Sequence, residues 1–456
     1  MDRDNLDFGN GNIGSLFKSL FFPTLIGMVF NSVLNICDGM FVGHGVGSNA
    51  LAAINIVAPL FLVCTGIGLM FGIGASVIGS IRLAEGNLKA ARIIMTQAYL
   101  AGACIFALVI AISFFFTEKV LYALGCNGSL EKLASDYLLW LLPGLVFFYL
   151  QCVGMMLIRL DGSPKYAMSV QIVAAVLNIF LDWLMVFPLD MGIMGASIAT
   201  SLSCAAGGLM VLGYFLFLSD KLKFYKLKLS AKSLRLSLRN TGYMIKIGLA
   251  TFIAELSMGI MMVTGNYTFM SYLGEDGVAA FSIGCYLFPL IFSISNAVAQ
   301  ASQPIISFNY GAGNFTRVSK ALKIAVTTAS ICGAIITIGM WAGSSLLTSI
   351  FINPADKAYN LAVKGLPYLG TCALFFAINI TFIGYYQSRE ESIRSIIYML
   401  LRGVIFMIPG FIILPHIFGA DGLWLAIPMS ELLTLMVISL QYLHNGINNL
   451  PSVRRW

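Results

Sequence analysis

Residues 186–199, VFPLDMGIMGASIA, and residues 413–426, ILPHIFGADGLWLA, are two copies of one pattern. Pro188 falls on Pro415, Gly192 on Gly419, Gly195 on Gly422 and Ala199 on Ala426, at an offset of 227. The same offset, without a gap, lays Gly47 on Gly274, Ala52-Ala53 on Ala279-Ala280, Ile56 on Ile283 and Gly86-Asn87 on Gly313-Asn314. Gly and Pro at loops and element ends answer to backbone geometry. A chance register would not hold through four loops, so the chain is a duplicated unit.

What is duplicated is a set of membrane spans. Of the 456 residues, 59% are hydrophobic and 10% charged. A soluble domain carries roughly 45–50% and about 25%. So few charges cannot wet the surface of a soluble protein of this size. That excludes a cytosolic enzyme, a disordered chain and a disulfide-rich secreted domain. A span needs about 20 apolar residues. Twelve runs qualify, at approximately 16–37, 50–79, 94–116, 134–157, 167–187, 194–218, 244–266, 277–306, 321–350, 361–386, 395–415 and 421–443. Pro23, Pro143, Pro289 and Pro304 fall inside runs, where membrane helices tolerate proline. The predicted fold is an all-α polytopic membrane protein with twelve transmembrane helices in two pseudo-symmetric six-helix lobes. Six is even, so both copies enter the membrane in the same direction, a parallel repeat about the membrane normal.

The basic residues set the orientation. With the N-terminus in the cytoplasm, 22 of the 27 Lys and Arg fall on the inner side and 4 on the outer, and Arg402 lies within a span. This positive-inside split predicts that both termini are cytoplasmic in a multi-pass inner (cytoplasmic) membrane protein. It also accounts for the net charge of +7 without a nucleic-acid partner. The N-terminal lobe is expected at 1–218, a cytoplasmic linker at 219–243 and the C-terminal lobe at 244–456. The linker reads as a solvated loop rather than a binding patch. Asp2, Asp4 and Asp7 precede the first run, unlike the basic start of a signal peptide, so that run is expected to be a retained span. The nine cysteines form no C-x-x-C pair and read as small hydrophobes, with no disulfide framework.

Two lobes suit a transporter that alternates access by rocking. No G-x-x-x-x-G-K-[ST] stretch is present to cradle ATP, which leaves an ion gradient as the power source. Gly66, Gly68, Gly72 and Gly74 lie in a span, where small residues let helices approach closely. A charge at mid-membrane costs at least ~2.5–3.5 kcal/mol, so intramembrane acids point to function. Asp38 shares a helix face with Asn31 and Asn35, although it could also be an ordinary interfacial residue. Asp182 follows Asn178 by one turn, with Gln171 further back. Two carboxylates with amides suit a proton or a small hard cation. Glu255, with Thr251, Met258 and Met262 at helical spacing, makes a seat for a lipophilic cation or a packing stripe. Ser293, Asn296, Gln300 and Gln303 form an uncharged stripe that lines a cavity or bonds between helices. Arg402 and Glu431 read as a structural pair. His44, His416 and His444 have no partner at metal spacing, so neither zinc nor a proton role is assigned to them.

Together these features resemble the multidrug and toxic compound extrusion (MATE) transporters, in the DinF/MepA-like branch. The first span carries Pro23, Asn31 and Asp38-Gly39-Met40-Phe41-Val42-Gly43-His44, then Gly47 and Leu51-Ala52-Ala53. The second half is similar in Glu255, Gly274, Val278-Ala279-Ala280 and Gly311-Ala312-Gly313-Asn314. The resemblance covers about 15–445 and implies a V-shaped pair of six-helix bundles exporting organic cations against protons or Na⁺. It places ion coupling on Asp38, Asn178, Asp182 and Thr200. Glu255 matches a family Glu that contributes to cation binding, but the tenth span holds no acid between Asp356 and Glu390. That departure weakens a C-lobe Na⁺ site.

The expected function is a secondary active multidrug exporter, not an enzyme. Its drug site is expected at Asn31, Asn35, Glu255, Met258, Met262, Asn296 and Gln300. No cofactor or metal is expected. Its partners are protons or Na⁺, lipophilic cationic drugs and membrane lipids, and it is expected to act as a monomer. The alternative is a lipid-linked oligosaccharide flippase of the same superfamily, which needs basic residues in its cavity and often has fourteen spans. An integral-membrane enzyme would need clustered His or paired interfacial carboxylates at metal spacing.

Overall fold

Gly86 and Gly313 carry the chain through the left-handed region, at φ +75° and +73°. In each case the following asparagine caps the next helix. Asn87 Oδ1 accepts the Ala90 N–H at 3.0 Å and Asn314 Oδ1 accepts the Arg317 N–H at 3.2 Å. Gly192 and Gly419 form a second matched pair, at φ +59° and +61°. The glycines of the repeat are thus tied to one turn geometry used twice, which a side chain would strain.

The computed structural model describes residues 6–46, 48–124, 126, 130–228 and 230–448. Within these, the side chains of 35, 36, 39, 40, 43, 44, 48, 49, 51, 52 and 445–448 are outside the description, as is all of Gly47. Asn35 and His44, singled out above, are therefore not placed. The spans are Ile13–Gly45, Ser48–Ala84, Leu88–Phe115, Glu131–Leu160, Pro164–Val186, Gly192–Gly213, Ala231–Gly311, Phe315–Ala342, Lys357–Ser388, Ser392–Phe418 and Ala420–Asn448. The segment Ala231–Gly311 has 81 residues and breaks at Gly274, with φ 66° and ψ −156°. As one rod it would run about 120 Å, against a hydrocarbon core of about 30 Å. Gly274 divides it into the seventh and eighth spans, which makes twelve. Two short helices, Thr117–Ala123 and Ser344–Phe351, follow the third and ninth spans at the same offset of 227. No strand occurs among the described residues. Most helices overrun the apolar runs by a turn or more, because hydropathy marks the lipid-matched part of a helix and not its polar ends.

The described chain divides into two compact units. One comprises 6–11 and 22–255, the other 12–21 and 256–448. In the first, small residues set the helix spacing. A methyl group on Gly74 would run into the Met244 carbonyl, and one on Gly68 would fall 2.7 Å from Cys152 Cβ. The glycine-rich stretch of the second span is thus a close-approach surface. Hydroxyls tie the fourth span to its neighbours. Tyr149 donates to the Ala98 carbonyl at 2.6 Å, and Ser201 to that of Trp140 at 2.6 Å.

The second unit is built around aromatics and one ion pair. Phe269 stacks on Phe281 at 4.6 Å, and Trp424 meets Phe269 edge-on at 4.9 Å. Arg402 lies in a π-helical turn, Leu401–Ile405. Its Nη2 and Nε donate to Glu431 Oε1 at 2.6 and 2.9 Å. Asn379 Nδ2 donates to the Glu431 carboxylate and to its backbone carbonyl, both at 2.8 Å. The Arg402 guanidinium also sits 4.3 Å from the Phe376 ring centre. Arg402 is 6% exposed and Glu431 2%, so the pair is shielded from water and joins the tenth, eleventh and last spans.

Two stability outcomes follow. Gly274→Ala should destabilise the protein by ~1–3 kcal/mol, the strain of a backbone region nearly reserved for glycine. No atom stands within 4 Å of the added methyl. Gly242→Ala, on the same helical segment and equally open, should be neutral or stabilising by up to ~1 kcal/mol. Thermal unfolding in detergent compares the two. Arg402→Met alone should destabilise by about 3–5 kcal/mol, because it strands a buried carboxylate. Adding Glu431→Leu should recover most of the loss, since a buried pair replaced by apolar groups is often near neutral.

Candidate functional site

Pro164 opens the fifth span at its first helical position, where its missing N–H costs nothing. The helix then carries Asn178 and Asp182 one turn apart on its buried face. Asn178 is 1% exposed and Asp182 0%. Asp38, on the first span, interacts electrostatically with Asp182. Thr200, on the sixth span, accepts from Asn178 Nδ2 at 3.5 Å and donates to the Ala196 carbonyl at 3.1 Å. Four helices converge here, because the fourth contributes Tyr137. Its phenol lies near Thr200, Asp38 and Asp182. Ser197 anchors this arrangement by donating to the Tyr137 carbonyl at 2.5 Å.

The carboxylates are the unusual part. Neither Asp182 oxygen has a hydrogen-bond partner among the described residues, and nor does Asp38 Oδ1. Buried polar atoms are normally paired, and a buried charge without donors is costly. Two such acids beside an amide, a hydroxyl and a phenol form an acceptor-rich pocket. It can take a proton or a small hard cation. The structure therefore brings together all four ion-coupling candidates, Asp38, Asn178, Asp182 and Thr200.

The other candidates are more dispersed. Asn31 is exposed. Glu255 is 5% exposed, within electrostatic range of Cys152. A methyl on Gly66 would come 3.5 Å from Glu255 Cβ and 2.7 Å from the Phe252 ring, so Glu255 lies under the glycine face of the second span. Further along the same helix Met258 is half-buried and Met262 exposed. Asn296 donates to the Phe292 carbonyl of its own helix at 3.0 Å. Gln300 is buried and already engaged. Thr251, Ser293 and Gln303 are likewise engaged. Tyr137 is the residue that the sequence does not single out. A tyrosine near the end of an apolar run reads as an interfacial anchor, and only its fold neighbours reveal the acids beside it.

The repeat sharpens the contrast between the copies. At the offset of 227, Asp38 aligns with Gly265, Asn178 with Ile405, Asp182 with Pro409 and Thr200 with Ile427. In the other direction, Asn379, Arg402 and Glu431 fall on Cys152, Ala175 and Cys204. Each copy is polar where the other is apolar. The acid pocket and the ion pair thus occupy different places in one architecture.

Comparison with known proteins agrees with this reading of the fold. The MatE family model matches residues 23–184 and again 249–412. The second match starts and ends within one residue of the first shifted by 227. The multidrug export protein MepA of Staphylococcus saprophyticus is 24% identical over 433 residues, 94% of each chain. MepA of Staphylococcus aureus strain NCTC 8325 is 25% identical over 427 residues, 92% of each. Among solved structures, an outward-facing multidrug resistance MATE family transporter of the MOP superfamily superposes with a TM-score of 0.88 at 21% identity. The alignment covers 96% of this chain and 97% of that one. A MOP superfamily transporter from Pyrococcus furiosus, whose binding pocket has reversed polarity, gives 0.87 at 20% identity with the same coverage. With the family model spanning well over half of it in two register-matched halves, this polytopic membrane chain belongs to the MatE family.

Proposed function

We propose that the protein is a secondary active multidrug exporter. It antiports lipophilic organic cations against protons by rocking of its N-terminal half (1–218) against its C-terminal half (244–456). The observation that carries this reading is the pair of fully buried Asp182 and half-buried Asp38, with three buried carboxylate oxygens unpartnered among the described residues. The name of the MepA relatives, multidrug export protein, supports the transport class. Both termini and the linker lie in the cytoplasm in this scheme, and the protein acts as a monomer in a bacterial inner membrane.

The mechanism is built from charge. With both acids ionised, the pocket holds two negative charges in a low-dielectric setting. A proton taken up there removes one of them and gives one carboxyl an O–H donor for the other. The Asn178 amide and the Thr200 and Tyr137 hydroxyls can reorganise around either state. The resulting shift of the first helix is coupled to release of a bound cation. Glu255, buried beside the second span, is the counter-charge for the cationic drug, and Met258 and Met262 supply adaptable apolar surface. Asn31, Asn35, Asn296 and Gln300 complete the proposed drug-contacting set. One charge moved across 100 mV is worth roughly 2.3 kcal/mol, enough for about fifty-fold accumulation.

Protons are favoured over Na⁺ by the donor set. Two neighbouring carboxylates can share one proton, and the buried polar residues of the tenth span, Asn379, Thr381, Gln387 and Ser388, include no acid for a second cation site.

In proteoliposomes, an imposed pH gradient should drive export of a fluorescent cation such as ethidium. A Na⁺ gradient at equal pH should drive little. Strong Na⁺-driven export would reject proton coupling while leaving the exporter intact. Asp38→Asn and Asp182→Asn should each reduce export to the rate of empty liposomes, with thermal stability unchanged or raised because an amide removes a buried charge. A fully active Asp38→Asn protein would remove the pocket from the mechanism. Glu255→Gln should slow export of cations more than of neutral drugs, measured as the ratio of the two rates.

A further inference from the structure

The segment that joins the two copies is fastened down. Asp161 Oδ1 accepts the backbone N–H groups of Lys221 and Leu222 at 3.2 and 2.9 Å. Asp161 Oδ2 accepts the hydroxyls of Tyr214 and Ser219 at 2.8 and 2.9 Å. Arg92 Nε donates to the Lys221 carbonyl at 2.8 Å, and the Tyr225 N–H donates to Thr96 Oγ1 at 2.9 Å. Beyond the extended stretch, Gln97 donates to Ser237 Oγ at 2.8 Å and accepts from Asn240 at 2.9 Å. These bonds use backbone groups, a carboxylate, amides, hydroxyls and the Arg92 guanidinium. None uses a lysine ammonium group.

That fastening orders the side chains. Leu222 is fully buried and Phe224 packs 5.3 Å from Tyr99, while Lys221, Lys223, Lys226 and Lys228 are exposed. Lys232, Arg235 and Arg239 continue the exposed basic surface on the helix that begins at Ala231. Lys89 adds a further cation 5.7 Å from the Tyr225 ring centre. No acidic residue occurs between Asp220 and Glu255, none of the ion pairs among the described residues engages these eight cations, and Asp7 acts on Lys221 only at longer electrostatic range. Leu234, Leu236 and Leu238 are 63%, 40% and 66% exposed among them. A loop held in water has no use for three exposed leucines.

The helix places this surface at the membrane boundary. From Ala231 to Gly274 it is about 64 Å long at 1.5 Å per residue, against a hydrocarbon core of about 30 Å. About 34 Å of it lies outside that core, and because the apolar run begins near 244, the turns before it stand just outside the core, at headgroup level. There, leucines dip to the acyl boundary and lysine stems reach up to the headgroups.

We propose that residues 221–228 and 230–239, with Lys89, form a binding surface for the headgroups of anionic phospholipids in the adjoining leaflet. The cations meet the phosphodiester charges, and Leu234 and Leu238 meet the upper acyl chains. The leucines favour a lipid over a soluble anion. The surface is distinct from the acid pocket, and the inference does not depend on what the protein exports.

Spin-labelled lipid measures it directly. Full-length protein is reconstituted in phosphatidylcholine with trace spin-labelled phosphatidylglycerol or spin-labelled phosphatidylcholine, and the motionally restricted fractions give a relative association constant. The native protein should prefer phosphatidylglycerol, and less so in high salt. K223Q/K226Q/K228Q should reduce that preference by at least about fivefold, the contribution of one surface cation. K223R/K226R/K228R should retain it. L234S/L238S should weaken restriction of the anionic lipid while leaving the acid pocket and export untouched. An unchanged preference in the glutamine variant would overturn the proposal. So would displacement of the labelled lipid by inorganic phosphate as effectively as by unlabelled phosphatidylglycerol, which would make the surface a soluble-anion site.

Discussion

A charge inside a low-dielectric slab must be neutralised, paired or put to use, and this constraint organises the whole molecule. The chain meets it in two ways. In the second unit, Arg402 and Glu431 neutralise each other, and Asn379 and Phe376 complete the shell. In the first unit, Asp38 and Asp182 have no cation to neutralise them among their described neighbours, only groups that respond to a proton. The paired arrangement gives up reactivity for permanence. The acid pair keeps its reactivity, and the residues around it are those that can exchange hydrogen bonds without moving far.

Duplication makes the contrast sharper, because the same backbone supports both solutions. Where the first copy has Asp182, the second has Pro409. Where the second has Glu431, the first has Cys204. The turns, by contrast, have been kept. Gly86 and Gly313 share their left-handed backbone and their asparagine caps. Backbone geometry at a helix start is set by sterics that do not depend on what the helix carries, so the turns persisted while the buried polar positions separated.

The sequence exposes this plan unevenly. The spans, the repeat and the two acids are legible in one dimension, because apolar length, Gly and Pro register and intramembrane charge are all properties of single positions. The Arg402–Glu431 pair is legible as well, since two lone opposite charges in neighbouring spans have few alternatives. Tyr137 and Asn379 are not. A phenol or an amide in a span is common, and each acquires meaning only from an acid contributed by another helix. The polar stripe ending in Asp38 is legible only in part, because Asn31 is exposed and helical phase alone does not say where a protein-facing stripe gives way to an open face.

Asp161 holds the connector between the copies in place. Its two oxygens gather four donors, from Tyr214, Ser219, Lys221 and Leu222. It thereby stitches the end of the sixth span to the extended segment that follows. With Thr96 holding Tyr225 and Gln97 holding Ser237 and Asn240, few residues of this connector are left to wander. A loose tether of the same length would behave as a coil and add entropy to every displacement of its ends. Fastened this way, the connector behaves as a splice plate. The end of the sixth span and the first turns of the helix that begins at Ala231 are held together, so a hinge between the halves falls beyond Asn240 rather than in the connector.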